Sequence, residues 1–175
     1  VAYQTAYLKT HYPAAFLAAS MSADMNNTDN IQIFFEDCKP NSVELLPPDI
    51  NHSGFEFIPT NTTQILYGLG AIKGTGLAAI ELILESRETK GSFKNLFDFC
   101  ARLDLRKVNR RVVESLIRGG AFDMLEPNRA SLLASVNLAI TAAEQGKANI
   151  AQNSLFWEEQ TQKVEIVKME AWTPQ

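Results

Sequence analysis

One turn in this sequence, at residues 68–76, constrains the fold more than any other feature. It ends in Gly74, Thr75 and Gly76, and the apolar residues after it recur at the spacing of a helix. Glycine allows a tight turn, and the missing Cβ lets an anion approach backbone N–H groups at the helix N-terminus. The pattern is typical of a helix-hairpin-helix, which holds DNA phosphates without reading base sequence. The predicted DNA-contacting residues of this first hairpin are Lys73, Gly74, Thr75 and Gly76.

A second, basic turn at residues 104–111 leads into another predicted helix N-terminus. It has no Gly-x-Gly sequence, so its side chains would make the contacts. Asn109 is suited to cap the helix that begins at Arg110. Helix-hairpin-helix units often act in pairs that grip the two strands across a minor groove, so we predict a tandem module. The predicted DNA-contacting residues of this second hairpin are Arg106, Lys107, Asn109, Arg110 and Arg111.

The charge distribution favours DNA binding, although the net charge of −4 argues against it. Residues 73–129 hold eleven basic and eight acidic side chains, whereas the flanking segments are acidic. A basic stripe on an acidic chain is more informative than the net charge. Two alternatives remain open, because the stripe could be a solvated helix face and the glycine turn could be purely structural. The stripe consists of Arg102, Arg106, Lys107, Arg110, Arg111 and Arg118, opposed by Asp104 and Glu114.

The remaining pattern predicts a mainly α fold with a small β-hairpin. Pro13 suits the first turn of a helix, and Thr28 is a candidate N-cap for the next one. Pro47 and Pro48 prevent the extended run before them from being a central strand. The hairpin strands are predicted at residues 55–58 and 64–67. Later helices are predicted at residues 77–86, 93–103, 110–118 and 128–145, with Gly146 ending the last.

Composition excludes several other classes. The chain is 46% hydrophobic, which suffices for a packed core, but its longest apolar runs are too short to cross a bilayer. We therefore expect no membrane partner. The cysteines Cys38 and Cys100 lie far apart, so we expect two free buried thiols, no metal site and a cytoplasmic location. Because the chain starts within a helical pattern and has no initiator Met, we expect it to be part of a longer protein.

Several blocks of sequence resemble one polymerase family in order and spacing. They are YQTAYLK (3–9), HYP (11–13), ADMNNT (23–28), LPPDIN (46–51), YGLGAIKG (67–74), LFDFC (96–100), NRRV (109–112) and GAFD (120–123). Together they resemble the alpha, or polymerase, subunits of bacterial DNA polymerase III, the C-family replicative polymerases. The resemblance runs from about residue 1 to residue 133. Residues 39–42 depart from the family, which has a longer basic, glycine-containing helix end there.

The resemblance implies a placement of each part of the chain. Residues 1–72 would be the C-terminal part of the fingers, 73–146 the tandem helix-hairpin-helix module, and 147–175 a tail. In this family, catalysis depends on palm aspartates that bind Mg²⁺ and lie well upstream. No such Asp-x-Asp pair occurs here, so we expect no cofactor and no polymerase activity in this chain alone. Other holoenzyme subunits would bind parts of the polymerase not present here.

The tail contains one short motif of the same family. Its residues are Gln152, Asn153, Ser154, Leu155 and Phe156. The motif resembles the pentapeptide, Gln followed by two variable residues and Leu-Phe, that polymerases insert into a pocket of the bacterial sliding clamp, the beta subunit. Five residues match easily by chance, but the family places its internal clamp motif at this position. We predict that the motif becomes ordered only on the clamp.

Two other classes of protein fit part of the pattern. One is a DNA repair or recombination protein with a similar hairpin pair, including an error-prone polymerase relative, and the block at residues 23–29 and the clamp motif argue against it. The other is a protein-interaction scaffold without DNA binding, which would require the basic stripe to be a solvated face. Salt-dependent DNA binding would distinguish this scaffold from the replicative polymerase and from the repair protein, which both bind DNA.

Overall fold

The computed structural model describes residues 2–152 and 166–170, and the fold is mainly α, as predicted. The helices are α1 (Ala2–His11), α2 (Pro13–Ala23), α3 (Thr28–Cys38), α4 (Leu77–Lys90), α5 (Leu96–Arg102), α6 (Arg110–Arg118) and α7 (Arg129–Gln152). The strands are β1 (Glu44–Leu46), β2 (Ile58–Asn61) and β3 (Gln64–Leu66), and a short 3-10 turn spans Leu69–Ala71. None of the helices described here combines the length and apolar character needed to cross a membrane.

The helix starts follow local capping chemistry. Pro13 occupies the first turn of α2, where its missing N–H has no helical partner to lose. The prediction that Thr28 caps α3 is wrong, since the cap is Asn27. The Asn27 side chain accepts hydrogen bonds from the backbone N–H groups of Asp29 (3.1 Å) and Asn30 (3.3 Å). Both residue types cap helices well, and the extended backbone of Asn27 decides between them.

The small sheet contains the predicted hairpin and an additional strand. β2 and β3 pair antiparallel, but β2 begins at Ile58 rather than at residue 55. Pro59 is tolerated there because β2 is an edge strand in the order β1-β3-β2. β1 pairs with β3 in parallel and forms the other edge, which agrees with the effect expected of Pro47 and Pro48.

The described residues form two hydrophobic cores. The first core is formed by α2, α3 and the strands, with fully buried Leu17, Met21 and Ile65 and with Cys38 at its side. The second core is formed by α4 to α7. Its residues Phe93, Phe99 and Phe122 make edge-to-face contacts with ring centroids 4.9 and 5.1 Å apart. Cys100 is fully buried in this second core, and burial raises the pKa of its thiol to about 12.

The loop between β1 and β2 joins the two cores. Its residue Ile50 is buried among the helices of the second core. The Asn51 side chain accepts a hydrogen bond from Phe93 N–H (2.7 Å) and donates one to the Phe93 carbonyl (3.0 Å). The Arg87 guanidinium of α4 donates to the carbonyls of Ile50 (3.2 Å) and Ser53 (2.9 Å). The loop is therefore held to the helical module by buried polar contacts as well as by apolar packing.

α7 is longer than predicted. It packs against α5 and α6, and it continues through Gly146 to Gln152, so the predicted stop at Gly146 is wrong. Glycine ends a helix by adopting positive φ, and Gly146 does not adopt it. The neighbouring Lys147 donates a hydrogen bond to the Leu103 carbonyl (2.6 Å), which ties this turn to the second hairpin.

Residues 166–170, which we call the strap, lie against the first half of α7. The hydroxyl of Ser135 accepts a hydrogen bond from Val167 N–H (2.8 Å), and that of Ser131 accepts one from Met169 N–H (2.9 Å). The Asn128 side chain donates to the Met169 carbonyl (2.7 Å). Both serines are buried. The backbone N–H groups of the strap therefore supply hydrogen bonds to hydroxyl groups that water does not reach.

Candidate nucleic-acid interface

The first hairpin joins the 3-10 turn to α4. Gly74 has a φ of +96°, a left-handed conformation that residues with a Cβ rarely adopt. The Thr75 hydroxyl lies 2.8 Å from the Leu69 carbonyl oxygen and 2.7 Å from the Ile72 carbonyl oxygen. The Thr75 hydroxyl therefore stabilises the hairpin by bonding to its backbone carbonyls, and its hydrogen is not available to a ligand.

α4 begins at this hairpin without a side-chain cap. Its N-cap residue is Gly76, and no side chain bonds to the first turn. The first amides of a helix have no partner within it, and the helix dipole favours an anion beside them. Gly76 is exposed, and a Cβ built on it would meet nothing within 4 Å. The amide end of α4 is thus open on the protein's surface, with the exposed Lys73 three residues away.

The second hairpin is organised by Asp104. Its carboxylate accepts a hydrogen bond from Arg106 N–H (3.0 Å), and its carbonyl accepts bonds from the N–H groups of Lys107 (3.1 Å) and Val108 (2.9 Å). Val108 is fully buried, whereas Arg106 and Lys107 are exposed. The turn therefore anchors itself through one apolar residue and projects two cations.

Asn109 has the capping role that its position predicts. Its side-chain oxygen accepts a hydrogen bond from Val112 N–H at 3.2 Å and so begins α6. Asn109 therefore has a structural role at the start of α6, and its contact with DNA stays a prediction. α6 then ends at Arg118, with Gly119 as its C-cap, and Gly120 follows with a φ of +87°.

α6 presents its basic residues on the face opposite the core. Arg110, Arg111 and Arg118 are exposed, while Val113 and Leu116 are fully buried. Arg110 Nε lies 2.6 Å from a carboxylate oxygen of Glu114, so part of its charge is neutralised locally. Arg111 and Arg118 lie seven residues apart, two turns along one side of the helix.

The structure brings the first hairpin against this basic face. A Cβ built on Gly74 would lie 2.7 Å from Ser115 Oγ, and one built on Gly119 would lie 3.0 Å from Ile72 Cδ1. Ser115 follows Arg111 by one turn and precedes Arg118 by three residues. The first hairpin therefore contacts α6 at Ser115, within about one turn of both Arg111 and Arg118.

Arg102 does not belong to this surface, which corrects the predicted basic stripe. Its guanidinium donates to the carbonyls of Ser86 (2.7 Å), Gly91 (2.7 Å) and Ser92 (3.2 Å), and its side chain is 11% exposed. It also pairs with Asp98 and lies over the Phe93 ring, 4.4 Å from the centroid. Arg102 is a structural residue that closes the α4–α5 connection.

Arg129 has a similar structural role that the sequence did not reveal. It forms a hydrogen-bonded ion pair with Asp123 and donates to the Arg118 carbonyl (3.1 Å). The hydrogen bond with Asp123 raises the pKa of Arg129. The contact fixes the loop between α6 and α7. It could not be predicted from the sequence, because a spacing of six residues does not match the three- or four-residue spacing of side-chain pairs on a helix.

The sequence also made predictions about a metal site and a clamp motif. No cluster of His, Cys, Asp and Glu side chains that could hold a metal occurs in the part of the chain that the structure describes. Of the clamp motif, Gln152 is the last residue of α7, whereas Asn153, Ser154, Leu155 and Phe156 lie outside the described residues. The prediction that this motif becomes ordered on the clamp stays a prediction.

Comparisons with known proteins agree with the hairpin geometry. A family model described as a helix-hairpin-helix motif matches residues 42–132, and the chain belongs to this family. Over most of its length the chain is also similar to proteins named DNA polymerase III subunit alpha, which confirms the resemblance seen in the sequence. It is 49% identical to that of Neisseria meningitidis serogroup A over 99% of the chain, 54% to that of Vibrio cholerae over 83%, and 49% to that of Escherichia coli K12 over 89%. The chain spans 12–15% of the length of these relatives.

Proposed function

We propose that this chain is the part of a bacterial replicative DNA polymerase that binds duplex DNA and tethers the enzyme to its sliding clamp. The observation that carries the proposal is the glycine hairpin before the uncapped N-terminus of α4, which contacts α6 at Ser115, one turn beyond Arg111. The similarity to polymerase alpha subunits supports the same function. The parent enzyme would act in the cytoplasm with its other subunits and with Mg²⁺ in its palm.

The two hairpins bind DNA by different chemistry in this proposal. At the first hairpin, the amides of α4 and its dipole hold a phosphate that approaches the exposed Gly76. At the second hairpin, Arg106 and Lys107 supply mobile cations to the neighbouring backbone, and Arg111 adds its charge from α6. Because phosphates rather than base edges are contacted, binding is independent of sequence.

The test is the salt dependence of duplex binding by the 175-residue chain. If about three phosphates are neutralised, the slope of log affinity against log salt is about −2.7. Replacing four cations of the second hairpin and α6 by glutamine abolishes binding. These residues are Arg106, Lys107, Arg110 and Arg111.

A matched control removes four lysines away from both hairpins. These are Lys9, Lys39, Lys90 and Lys94, the last two lying at or beyond the far end of α4. We expect this control to retain most of the affinity and the slope. Binding that ignores salt, or that falls equally in both variants, would overturn the proposed duplex contact.

The proposed clamp contact depends on two apolar anchors. Burial of Leu155 and Phe156 contributes roughly 1.5–3 kcal/mol each, so their joint replacement by alanine weakens clamp binding by about 10²- to 10⁴-fold. Replacing Asn153 by alanine is the control and has little effect. Calorimetric titration of the purified clamp checks both variants, and unchanged affinity in the double variant contradicts the tether.

The chain alone is not expected to extend a primer with Mg²⁺. Nucleotide transfer needs clustered carboxylates that hold two metal ions. Extension assays with purified chain and primed template test this expectation, and robust synthesis would place the catalytic centre within these residues.

A further inference from the structure

We propose that Ser115 and Gly119 of α6 are positioning residues that fix the spacing between the two hairpins, and with it the fit of both to one duplex. The inference rests on the proposed DNA binding and adds the element that sets its geometry. Neither residue carries charge, and neither belongs to a hairpin.

The first observation is the closeness of the contact. Ser115 lies on α6 and Gly119 is its C-cap residue one turn later, so the two lie on the same side of the helix. A Cβ built on Gly74 would lie only 2.7 Å from Ser115 Oγ. One built on Gly119 would lie 3.0 Å from Ile72 Cδ1. Contacts this short mean that a larger side chain at Ser115 or Gly119 would displace its neighbour in the first hairpin. Gly74 is thus in contact with the Ser115 side chain, and Ile72 lies over Gly119.

The second observation is that α6 also fixes the second hairpin. Asn109 caps α6, and the Asp104 turn precedes it immediately. Ser115 lies six positions after Asn109, about 9 Å along the helix axis. α6 therefore serves as a rigid spacer that has one hairpin at its N-terminus and the other on its side.

The consequence concerns simultaneous contact with DNA. A minor groove is about 6 Å wide, so moving one hairpin by a few ångströms prevents both from reaching their phosphates together. Ser115→Ile is the direct test. A β-branched side chain is stiff in a helix and places a methyl group toward Gly74, while every cation and glycine is retained.

We expect Ser115→Ile to lower duplex affinity by about tenfold or more and to reduce the salt slope by about one or two phosphate equivalents. Ser115→Ala adds no atoms at the contact with Gly74, and this variant should bind duplex DNA like the wild type. Gly119→Val, which crowds Ile72, should resemble Ser115→Ile. Thermal unfolding followed by circular dichroism identifies variants that are folded at the binding temperature.

If Ser115→Ile is unfolded, Ser115→Val provides the smaller step and carries the same expectation. Wild-type affinity and slope in the folded Ile or Val variant overturn the inference. The glutamine variant of the four cations separates the two proposals. If that variant loses binding while Ser115→Ile does not, DNA binding stands and the spacer is wrong. If the wild type shows no salt-dependent binding, the proposed function itself fails and the spacer falls with it.

Discussion

Arg102 and Arg111 carry the same charge and lie nine residues apart, but Arg102 is enclosed by the protein and Arg111 is exposed to solvent. Arg102 is enclosed by three backbone carbonyls, Asp98 and the ring of Phe93. Arg111 is exposed on α6, beside the contact of Ser115 with the first hairpin. Charge type alone cannot separate these cases, because burial depends on the chain path between α4 and α5.

Arg102→Gln should destabilise the fold by about 2 kcal/mol, because it removes the charged donor to the carbonyl of the buried Ser86 and the contact with the Phe93 ring. Chemical denaturation monitored by circular dichroism measures the change. Arg111→Gln is the matched control and should alter stability by less than about 0.5 kcal/mol while weakening duplex binding. Equal stability of the two variants would show that Arg102 is an ordinary surface residue.

Gly74 and Gly91 both have positive φ, but only at Gly74 would an added Cβ meet another element. Substituting alanine at either position should cost about 1–3 kcal/mol of stability through backbone strain. Gly74→Ala should in addition displace the first hairpin from Ser115 and reduce duplex affinity, whereas Gly91→Ala should leave affinity unchanged. Denaturation and duplex titration of both variants check this, and equal affinities would mean that the hairpin tolerates displacement.

At the scale of elements, local signals predicted α6 well. The Asn109 cap, the four buried apolar residues and the glycine pair after Arg118 all lie within one short stretch. α7 was predicted less well because its course past Gly146 depends on packing against α5 and on the Lys147 contact with Leu103. The parallel pairing of β1 with β3 was also missed, since no local pattern links strands separated by a long loop.

The strap was missed for the same reason, as its partners lie more than thirty residues away. Replacing Ser131 and Ser135 by alanine removes the acceptors for Val167 and Met169, and should cost about 1–2 kcal/mol of strap stability. Hydrogen exchange at these two amides should become about tenfold faster or more. Thr141→Ala, on an exposed face of α7, is the control and should leave both exchange rates unchanged. Unchanged exchange in the serine variant would mean that the strap is held by other contacts.

At the scale of the whole molecule, the helical module includes residues that precede its first hairpin. Ile50 is buried among α4 to α7, and Asn51 bonds both backbone groups of Phe93. The division predicted at residues 72 and 73 cuts across these contacts. The family model begins at residue 42 and so includes this loop.

Asn51→Ala should therefore destabilise the second core by about 2 kcal/mol, because it leaves the amide and carbonyl of Phe93 without partners. Its neighbour His52 has an exposed side chain, and His52→Ala should change stability little. Urea denaturation of the two variants makes the comparison. A mild effect at Asn51 would indicate that the loop is attached by apolar packing alone.

The two cysteines stand one in each core, Cys38 in the first and Cys100 in the second. Burial raises the pKa of both thiols, so at neutral pH neither supplies the thiolate that alkylating reagents require. Each becomes reactive only when its own core opens. The chain thus carries two intrinsic probes of opening, and the labelling rates of Cys38 and Cys100 report whether the two halves open together or one before the other.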